Sequence, residues 1–388
     1  MLRVSPKDRN PYTHARSRDL SERRTDSADT VYALGVSTVI NVAQFKIMTD
    51  KEKVCTFDGL IRSDRVCKCG TSWKDSVASY HANRFVKTVK LIDRIDSDRY
   101  FPSPGDTFIV YEPKVREIRS IKYVDRIVQR RFNDDVLYPI MTKSFIYDNM
   151  ACQRGGGTDK TLNRLNCHLQ RYFRKYGKEF YVLQCDIHHY FQSIPHDKAK
   201  ALFYDKITDP WSREQIDHIL GTFDGEVGFN PGSQTVQILG ISYLDRMDHM
   251  IKERLRIKGY IRYMDDFILL SPSREYLEEC LKEIETYLTS IGLTLNKKTR
   301  IYPVRDGIPF LGFHFFLTDT GKVIRKIKHK NVSRERRRLR KLAAKVASGE
   351  MTRAEVDQCY QSWKAHAQRG NTRNLILAMD QYYQNLWR

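Results

Sequence analysis

The sequence predicts an α+β protein in which an antiparallel sheet carries helices on one face. Three observations lead to this reading. The run Phe180–Asp186 (Phe-Tyr-Val-Leu-Gln-Cys-Asp) reads as a buried strand that ends in an acid. Tyr260–Leu270 reads as a hairpin, two apolar arms joined by a tip that contains Asp265 and Asp266. Helical patterns alternate with these strands, so the order is strand, helix, strand-turn-strand, helix and further strand.

The elements follow in chain order. Residues 1 to about 30 are polar, and residues 31 to about 100 mix short apolar runs such as Val31–Ala43 with charged segments that assign no function. Phe101-Pro-Ser-Pro-Gly105 is a turn signal, followed by a β-rich run at Thr107–Tyr111. Val124–Tyr138 places Ile127, Val128, Phe132, Val136 and Leu137 at helical spacing. Arg154 opens a glycine-rich loop through Gly157, and Thr158–Tyr176 is a helix with Leu162, Leu165 and Leu169 on one face. Thr235–Lys258 is a candidate for one long helix. Arg274–Ile291 is amphipathic, with Leu277, Cys280, Leu281, Ile284 and Leu288 on one stripe and Gly292 as its stop. Lys322–Lys345 holds twelve Lys or Arg against one acid, Glu335, and Ala354–Trp387 is helical in pattern and rich in aromatics.

Composition bounds the partners. The chain has 388 residues, 41% of them hydrophobic, enough for two or three subdomains around a shared cleft. Its net charge of +20 points to a polyanion, with nucleic acid ahead of an anionic membrane surface. No apolar run approaches the ~20 residues a membrane span needs, and Met1–Arg24 has no apolar signal-peptide region. The expectation is a cytoplasmic protein with no membrane partner. The eight cysteines show no disulfide framework, and Cys55, Cys67 and Cys69 with His81 fit poorly to a zinc knuckle.

The chemistry lies in the acids. Carboxylates are rarely buried unless paired or coordinating a metal, yet Asp186 ends one apolar strand and Asp265-Asp266 interrupt another. Acids gathered at a sheet edge repel one another, and divalent cations remove that penalty. Mg²⁺ takes a few carboxylates plus substrate phosphate, and a pair of such ions stabilises both oxygens of an in-line phosphoryl displacement. The constellation therefore predicts nucleotidyl transfer. His188 and His189 beside Asp186 are expected to fill structural positions, since side chains alternate along an extended segment.

In this context Tyr263-Met-Asp-Asp266 resembles the Tyr-x-Asp-Asp box of reverse transcriptases, and other blocks of that family stand in order around it over residues 100–316. Asp186-Ile-His-His-Tyr-Phe191 resembles the first catalytic block, with Phe191 at the steric-gate position that excludes a ribonucleotide 2′-hydroxyl. Pro231-Gly-Ser-Gln-Thr-Val-Gln237 resembles the block that packs on the template and incoming base. Gly292–Thr299 resembles the block whose lysine protonates the leaving pyrophosphate, Lys298 by preference with Lys297 open. Phe310-Leu-Gly-Phe313 resembles the primer grip. Glu112–Arg116 and Asp125–Gln129 resemble the fingers blocks.

The resemblance implies a right-hand polymerase fold: an extension over 1–100, fingers over 101–185, palm over 186–316 and a basic helical thumb over 317–388. It implies two Mg²⁺ ions, with Mn²⁺ able to substitute, held by Asp186, Ile187, Asp265 and Asp266. Lys114, Arg116, Tyr190, Phe191, Pro231, Gly232 and Gln237 would bind the deoxynucleoside triphosphate. Phe310, Leu311 and Gly312 would grip the primer. Arg154, Lys326, Lys328, Lys330, Arg336, Arg337, Arg340 and Lys341 would contact template RNA and the RNA/DNA duplex through phosphates.

Within the family the chain resembles bacterial group II intron-like enzymes, closest to those of diversity-generating retroelements. Ser362-Trp-Lys-Ala-His-Ala-Gln-Arg-Gly-Asn-Thr372 resembles their thumb segment, and Gln237 stands where intron and retron enzymes carry Ser-Pro. Pro231 stands where accurate enzymes carry glutamine and where the diversity-generating group usually carries an aliphatic residue, a departure from both. This likeness implies cDNA synthesis with errors at adenines, in company with a small basic accessory protein or a structured non-coding RNA. The long stretch before the fingers suits an antiphage defence or retron-like enzyme as well.

Overall fold

The run ending in Asp186 is apolar almost throughout because the sheet it joins is covered on both faces. The structure, a computed structural model, describes residues 48–111 and 115–388, with the backbone alone at Arg116. Lys114 and the run Val31–Ala43 lie outside the described residues.

Four helices come first: α1 (Asp50–Val54), α2 (Phe57–Lys68), α3 (Asp75–Ala82) and α4 (Arg84–Asp96). A hairpin of β1 (Asp106–Val110) and β2 (Arg116–Ser120) sets Phe108 opposite Ile118. Then come α5 (Tyr123–Phe132), α6 (Tyr138–Met141) and α7 (Thr158–Tyr176). β3 (Tyr181–Asp186) is followed by α8 (Tyr190–Ser193), α9 (His196–Lys206), α10 (Pro210–Leu220), α11 (Gln234–Ser242) and α12 (Asp245–His249). β4 (Gly259–Tyr263) and β5 (Asp266–Ser271) form the second hairpin, and α13 (Arg274–Ser290) returns across the sheet. β6 (Arg300–Pro303), β7 (Ile308–Phe310), β8 (Phe313–Leu317) and β9 (Val323–Ile327) precede α14 (His329–Ala347), α15 (Arg353–Ala367) and α16 (Arg373–Asn385).

The central sheet is antiparallel in the order β4-β5-β3-β6, and a second antiparallel sheet has the order β7-β8-β9. Alternation along the strands divides the apolar residues between two cores. Leu183, Cys185, Phe267 and Leu269 join the core that includes Leu277, Ile284 and Leu288 of α13. Val182, Ile268 and Leu270 join Leu162, Leu165 and Leu169 of α7 and Phe313 and Phe315 of the second sheet. The expectation of helices on one face is thereby corrected. The other face carries α7 and a second sheet, which is why Phe267–Leu270 is apolar at every position. Each fully buried Leu or Phe contributes ~1.5–3 kcal/mol.

Three further expectations change. The helices over 50–96 are not an appendage: Val54, Leu60, Val77, Leu91 and Ile95 belong to the first core. They are tied in by Tyr123 donating to Asp64 (2.7 Å), Arg131 donating to the Lys53 carbonyl (2.8 Å) and Ser212 donating to Asp50 (2.9 Å). The helix expected over Thr235–Lys258 breaks at Tyr243–Leu244, both buried, and ends in a π-helical stretch, Met250–Arg254. The segment expected as a helical thumb is not helical throughout, because the first part of the basic run, Val323–Ile327, is the strand β9. Among the described residues no helix is long and apolar enough to cross a membrane.

Candidate active site

Strand register brings the acids together. In the β3–β5 pair Asp186 stands directly opposite Asp266, and such cross-strand neighbours lie ~4.5–5.5 Å apart at Cα. In β4–β5, Tyr263 is opposite Asp266, so Met264 and Asp265 form a two-residue turn. Met264 alone of that pair has a left-handed φ, 58°, as in type II′ hairpins whose twist suits the strands they join. Asp265 is thus carried beside Asp266 on the turn. Burial first, then the charges of Asp186 and Asp265, push the Asp266 carboxyl up to about 7. A carboxylate this reluctant to ionise is one that a cation would satisfy.

The donor set fits Mg²⁺. Among the described residues no three His, Cys, Asp or Glu side chains form a ready metal cage. Mg²⁺ uses one or two carboxylates and completes its shell with water and substrate phosphates. Asp186 and Asp266, with Asp265 on the turn, could hold it in that open fashion. Ile187 is buried and bridged to Leu295, so its main chain alone could contribute.

A buried ion pair holds the turn. The Arg262 side chain is 0% exposed and meets Asp248 with two contacts, Nε at 2.7 Å and Nη2 at 2.5 Å. It also donates to the carbonyls of Met264 (3.1 Å) and Ile241 (3.0 Å), and Tyr260 adds its hydroxyl to Asp248 at 2.5 Å. Burial opposes the guanidinium's charge, but Asp248 outweighs it and raises the Arg262 pKa. Beyond it, Asp148 receives Arg164 (2.6 Å) and Lys252 (2.9 Å), and His168 lies at 3.2 Å. Burial alone would raise this carboxyl; the bonds from His168, Arg164 and Lys252 prevail and hold it well below the usual range. The amide of Arg262 donates to the Asp148 carbonyl at 3.0 Å, which joins this cluster to the turn.

The later blocks close around the acids. The amide of Asn296 donates to the Asp186 carbonyl (2.7 Å) and that of His188 to Thr294 (2.9 Å), so residues 294–296 lie against the end of β3 and the two residues after it. A cleft of about 880 Å³ is lined by Asp186, Asp266, Lys297, Lys298, Leu311, Gly312, Lys328 and Gln184, among others. Phe310 pairs with Phe313, and the two loop residues Leu311 (φ 44°) and Gly312 (φ 88°) are both left-handed. That is the type I′ pattern, easy for Gly and strained for Leu. Phe310 itself is buried, so the turn rather than the ring faces the cleft.

Sequence reasoning missed Gln184. Its amide donates to the Pro309 carbonyl at 2.7 Å, accepts from Tyr302 at 2.9 Å and lowers the Asp266 pKa. One side chain therefore joins β6, β7 and a site acid. The signal was present as a lone amide in an apolar run, two residues from Asp186 and on the same face. Lys328, expected on a phosphate-gripping thumb face, lies instead in this cleft, half-buried. Burial lowers its pKa, and Asp266 opposes that shift.

The expected nucleotide contacts divide. Phe191 is half-buried. Tyr190 is corrected: its ring is 3% exposed and its hydroxyl donates to the Gly240 carbonyl, so it is a core residue. Pro231 accepts from the Arg119 amide at 3.3 Å, and a β-carbon at Gly232 (φ 148°) would collide with the Arg119 carbonyl oxygen. The glycine there is required by the passing strand β2. Gln237 is exposed on α11. Of the basic residues, Arg337, Arg340 and Lys341 are exposed on α14, as are Lys330 at its start and Lys326 on β9. Arg336, also exposed, reaches toward α16, its Nε 3.4 Å from the Met379 sulfur. Arg154 lies over the Tyr138 ring at 4.7 Å. Cys55, Cys67 and Cys69 are free thiols, and His81 lies 3.2 Å from Asp64.

An antiparallel sheet with acids on facing strand ends, helices on one face, a helix and a second sheet on the other, and a basic helical segment after it has the architecture of the right-hand polymerase fold. The family model described as reverse transcriptase (RNA-dependent DNA polymerase) matches residues 112–315, just over half of the chain, and the chain belongs to that family. No curated protein matches it. Among solved structures it is similar to the telomerase of Candida albicans in complex with a TWJ fragment of telomeric RNA, at 13% identity over 59% of this chain and 46% of that one, TM-score 0.42. It is similar also to the apo telomerase of Candida tropicalis, at 12% identity over 56% and 47% of the two chains, TM-score 0.44. The chain spans about half the length of these structures.

Proposed function

We propose that this chain is the RNA-directed DNA polymerase of a diversity-generating retroelement, copying a template RNA into cDNA with errors at adenines. The polymerase reading is carried by one observation, the register that sets Asp186 against Asp266 beside the Tyr263–Asp266 turn. When bound, two divalent ions would neutralise charge on the triphosphate and align the attacking and leaving oxygens. Asp186, Asp265 and Asp266 would hold them. Arg262 keeps the turn in place. Lys298, or Lys297 beside it, stands in the cleft to give a proton to pyrophosphate. The Leu311–Gly312 turn supports the primer end, and Phe191 limits the sugar.

The finer assignment is supported by Gln237 and by the thumb segment Ser362–Thr372, whereas Pro231 departs from the aliphatic residue usual in that group. In that segment Thr372 donates to the Ala367 carbonyl (2.6 Å), and the His366 ring packs on Phe313 at 5.0 Å, beside the primer-grip turn. A second reading, an antiphage defence enzyme that makes cDNA from a non-coding RNA, is favoured by the long stretch ahead of the fingers, whose described residues are mainly helical. Purified protein supplied with Mg²⁺, RNA template, primer and deoxynucleotides, each omitted in turn, tests the activity. Absence of incorporation under every combination of primer, template and partner would overturn it. Sequencing the product decides between the readings: errors concentrated opposite adenine support diversity generation, and a uniform low error rate supports defence.

A further inference from the structure

Phe191 rests on a glycine. Its carbonyl accepts from the Phe229 amide at 2.8 Å, and its neighbour Tyr190 is pinned to the Gly240 carbonyl at 2.5 Å. The Phe191 ring therefore lies over the α-carbon of Gly240, in the interior of α11. A β-carbon at 240 would stand 2.6 Å from Cε1 and 2.7 Å from Cζ of that ring, and 3.6 Å from Tyr190 Cε1. Carbon atoms in good contact sit ~3.5–4.0 Å apart. The glycine is not there for backbone freedom, since it is helical and its φ is not positive. An alanine would favour a helix interior by ~1 kcal/mol. The space of the missing methyl is occupied by the ring.

We propose that Gly240 is a specificity-determining residue: its bare α-carbon sets how deep the Phe191 ring sits and so how much room remains beside the sugar. The inference rests on the reading of Phe191 as the sugar gate. The helix cannot yield easily, because Ser233 caps its start and the Ile241 carbonyl accepts from both Arg262 (3.0 Å) and Asn149 (3.3 Å). Tyr190 is buried. The half-buried ring of Phe191 is the part with room to move, so a methyl at 240 displaces it outward, toward the nucleotide.

Single-nucleotide incorporation on one primer-template, with a deoxynucleotide and with its ribonucleotide, tests this for wild type, Phe191→Ala, Phe191→Leu, Gly240→Ala and the Gly240→Ala/Phe191→Leu double variant. Gly240→Ala raises KM for the deoxynucleotide about tenfold, changes kcat less and excludes the ribonucleotide further. Leucine lacks Cε1 and Cζ, so adding Gly240→Ala to Phe191→Leu changes little, a coupling that a merely structural defect would not show. An equal effect of Gly240→Ala in both backgrounds overturns the inference. So does unchanged nucleotide selection in Gly240→Ala while Phe191→Ala admits ribonucleotides. If Phe191→Ala leaves selection unchanged, the gate reading fails first and this inference falls with it.

Discussion

Asp266 meets Asp186 across the ladder and Asp265 along the chain, in a site that shields it from water. Its folded pKa, about 7, lies above the ordinary carboxylate value of 3.8. The sign follows from linkage. A raised pKa gives stability that is fully present below about pH 4 and is lost as pH rises through about 7. Metal-free protein should therefore melt at lower temperature as pH rises across that window, and Asp266→Asn should flatten the slope and be the more stable at pH 8. Mg²⁺ should restore the melting temperature of wild type above pH 7 and have much less effect on the variant. Calorimetry across pH with and without Mg²⁺ checks both; an identical pH slope in wild type and Asp266→Asn would mean that the carboxylate is not under this strain. For chemistry, Asp265→Asn with Asp266→Asn should abolish synthesis and leave RNA binding within about twofold, because the basic surface is untouched. Primer extension beside a filter-binding titration reads this, and retained synthesis would remove the metal assignment.

At the scale of elements, the β4–β5 hairpin depends on a charge pair outside it. Arg262 and Asp248 are both fully buried, and removing one partner leaves the other uncompensated. Arg262→Met should cost about 3–5 kcal/mol of unfolding free energy. Replacing both residues by apolar ones of similar volume should cost less, yet leave the Met264 carbonyl unheld and synthesis impaired. Urea unfolding of the single and double variants separates the two effects, and a single variant as stable as wild type would show the pair to be dispensable. Gln184 plays a comparable part for the β7–β8 hairpin, tying Pro309 to Tyr302. Gln184→Leu should lower kcat by about tenfold through misplacement at the site, with deoxynucleotide KM nearly constant. A change confined to KM would place its effect on nucleotide binding instead.

At the scale of the whole molecule, the sheet separates two cores, and the described helices before the fingers belong to the first of them. The helix α14 presents Arg337, Arg340 and Lys341 to solvent, whereas Lys328, from the same basic run, lies in the cleft. Arg337→Ala and Arg340→Ala should each weaken duplex binding similarly for all sequences and reduce the salt slope by about one. Lys328→Ala should instead reduce synthesis more than binding. Binding isotherms at several salt concentrations, set beside extension rates, test the division, and equal effects of all three variants on the salt slope would return Lys328 to the phosphate-gripping set.

The strand ending in Asp186, the hairpin carrying Asp265 and Asp266, and the helices Thr158–Tyr176 and Arg274–Ser290 were legible in the sequence because each is local. Their periodicity, caps and turn residues lie within one segment. The class of chemistry was legible for the same reason, since acids placed against apolar runs are unusual wherever they occur. What the tertiary structure alone decided was which distant groups meet: Asp248 with Arg262, Gln184 with Pro309, Lys328 with Asp266, Gly240 with Phe191. Such pairings depend on register and on how layers stack, and no periodicity within a segment carries that information. The same limit explains Tyr190 and the break at Tyr243–Leu244, where a residue's neighbours across the fold outweighed the pattern of its own stretch of chain.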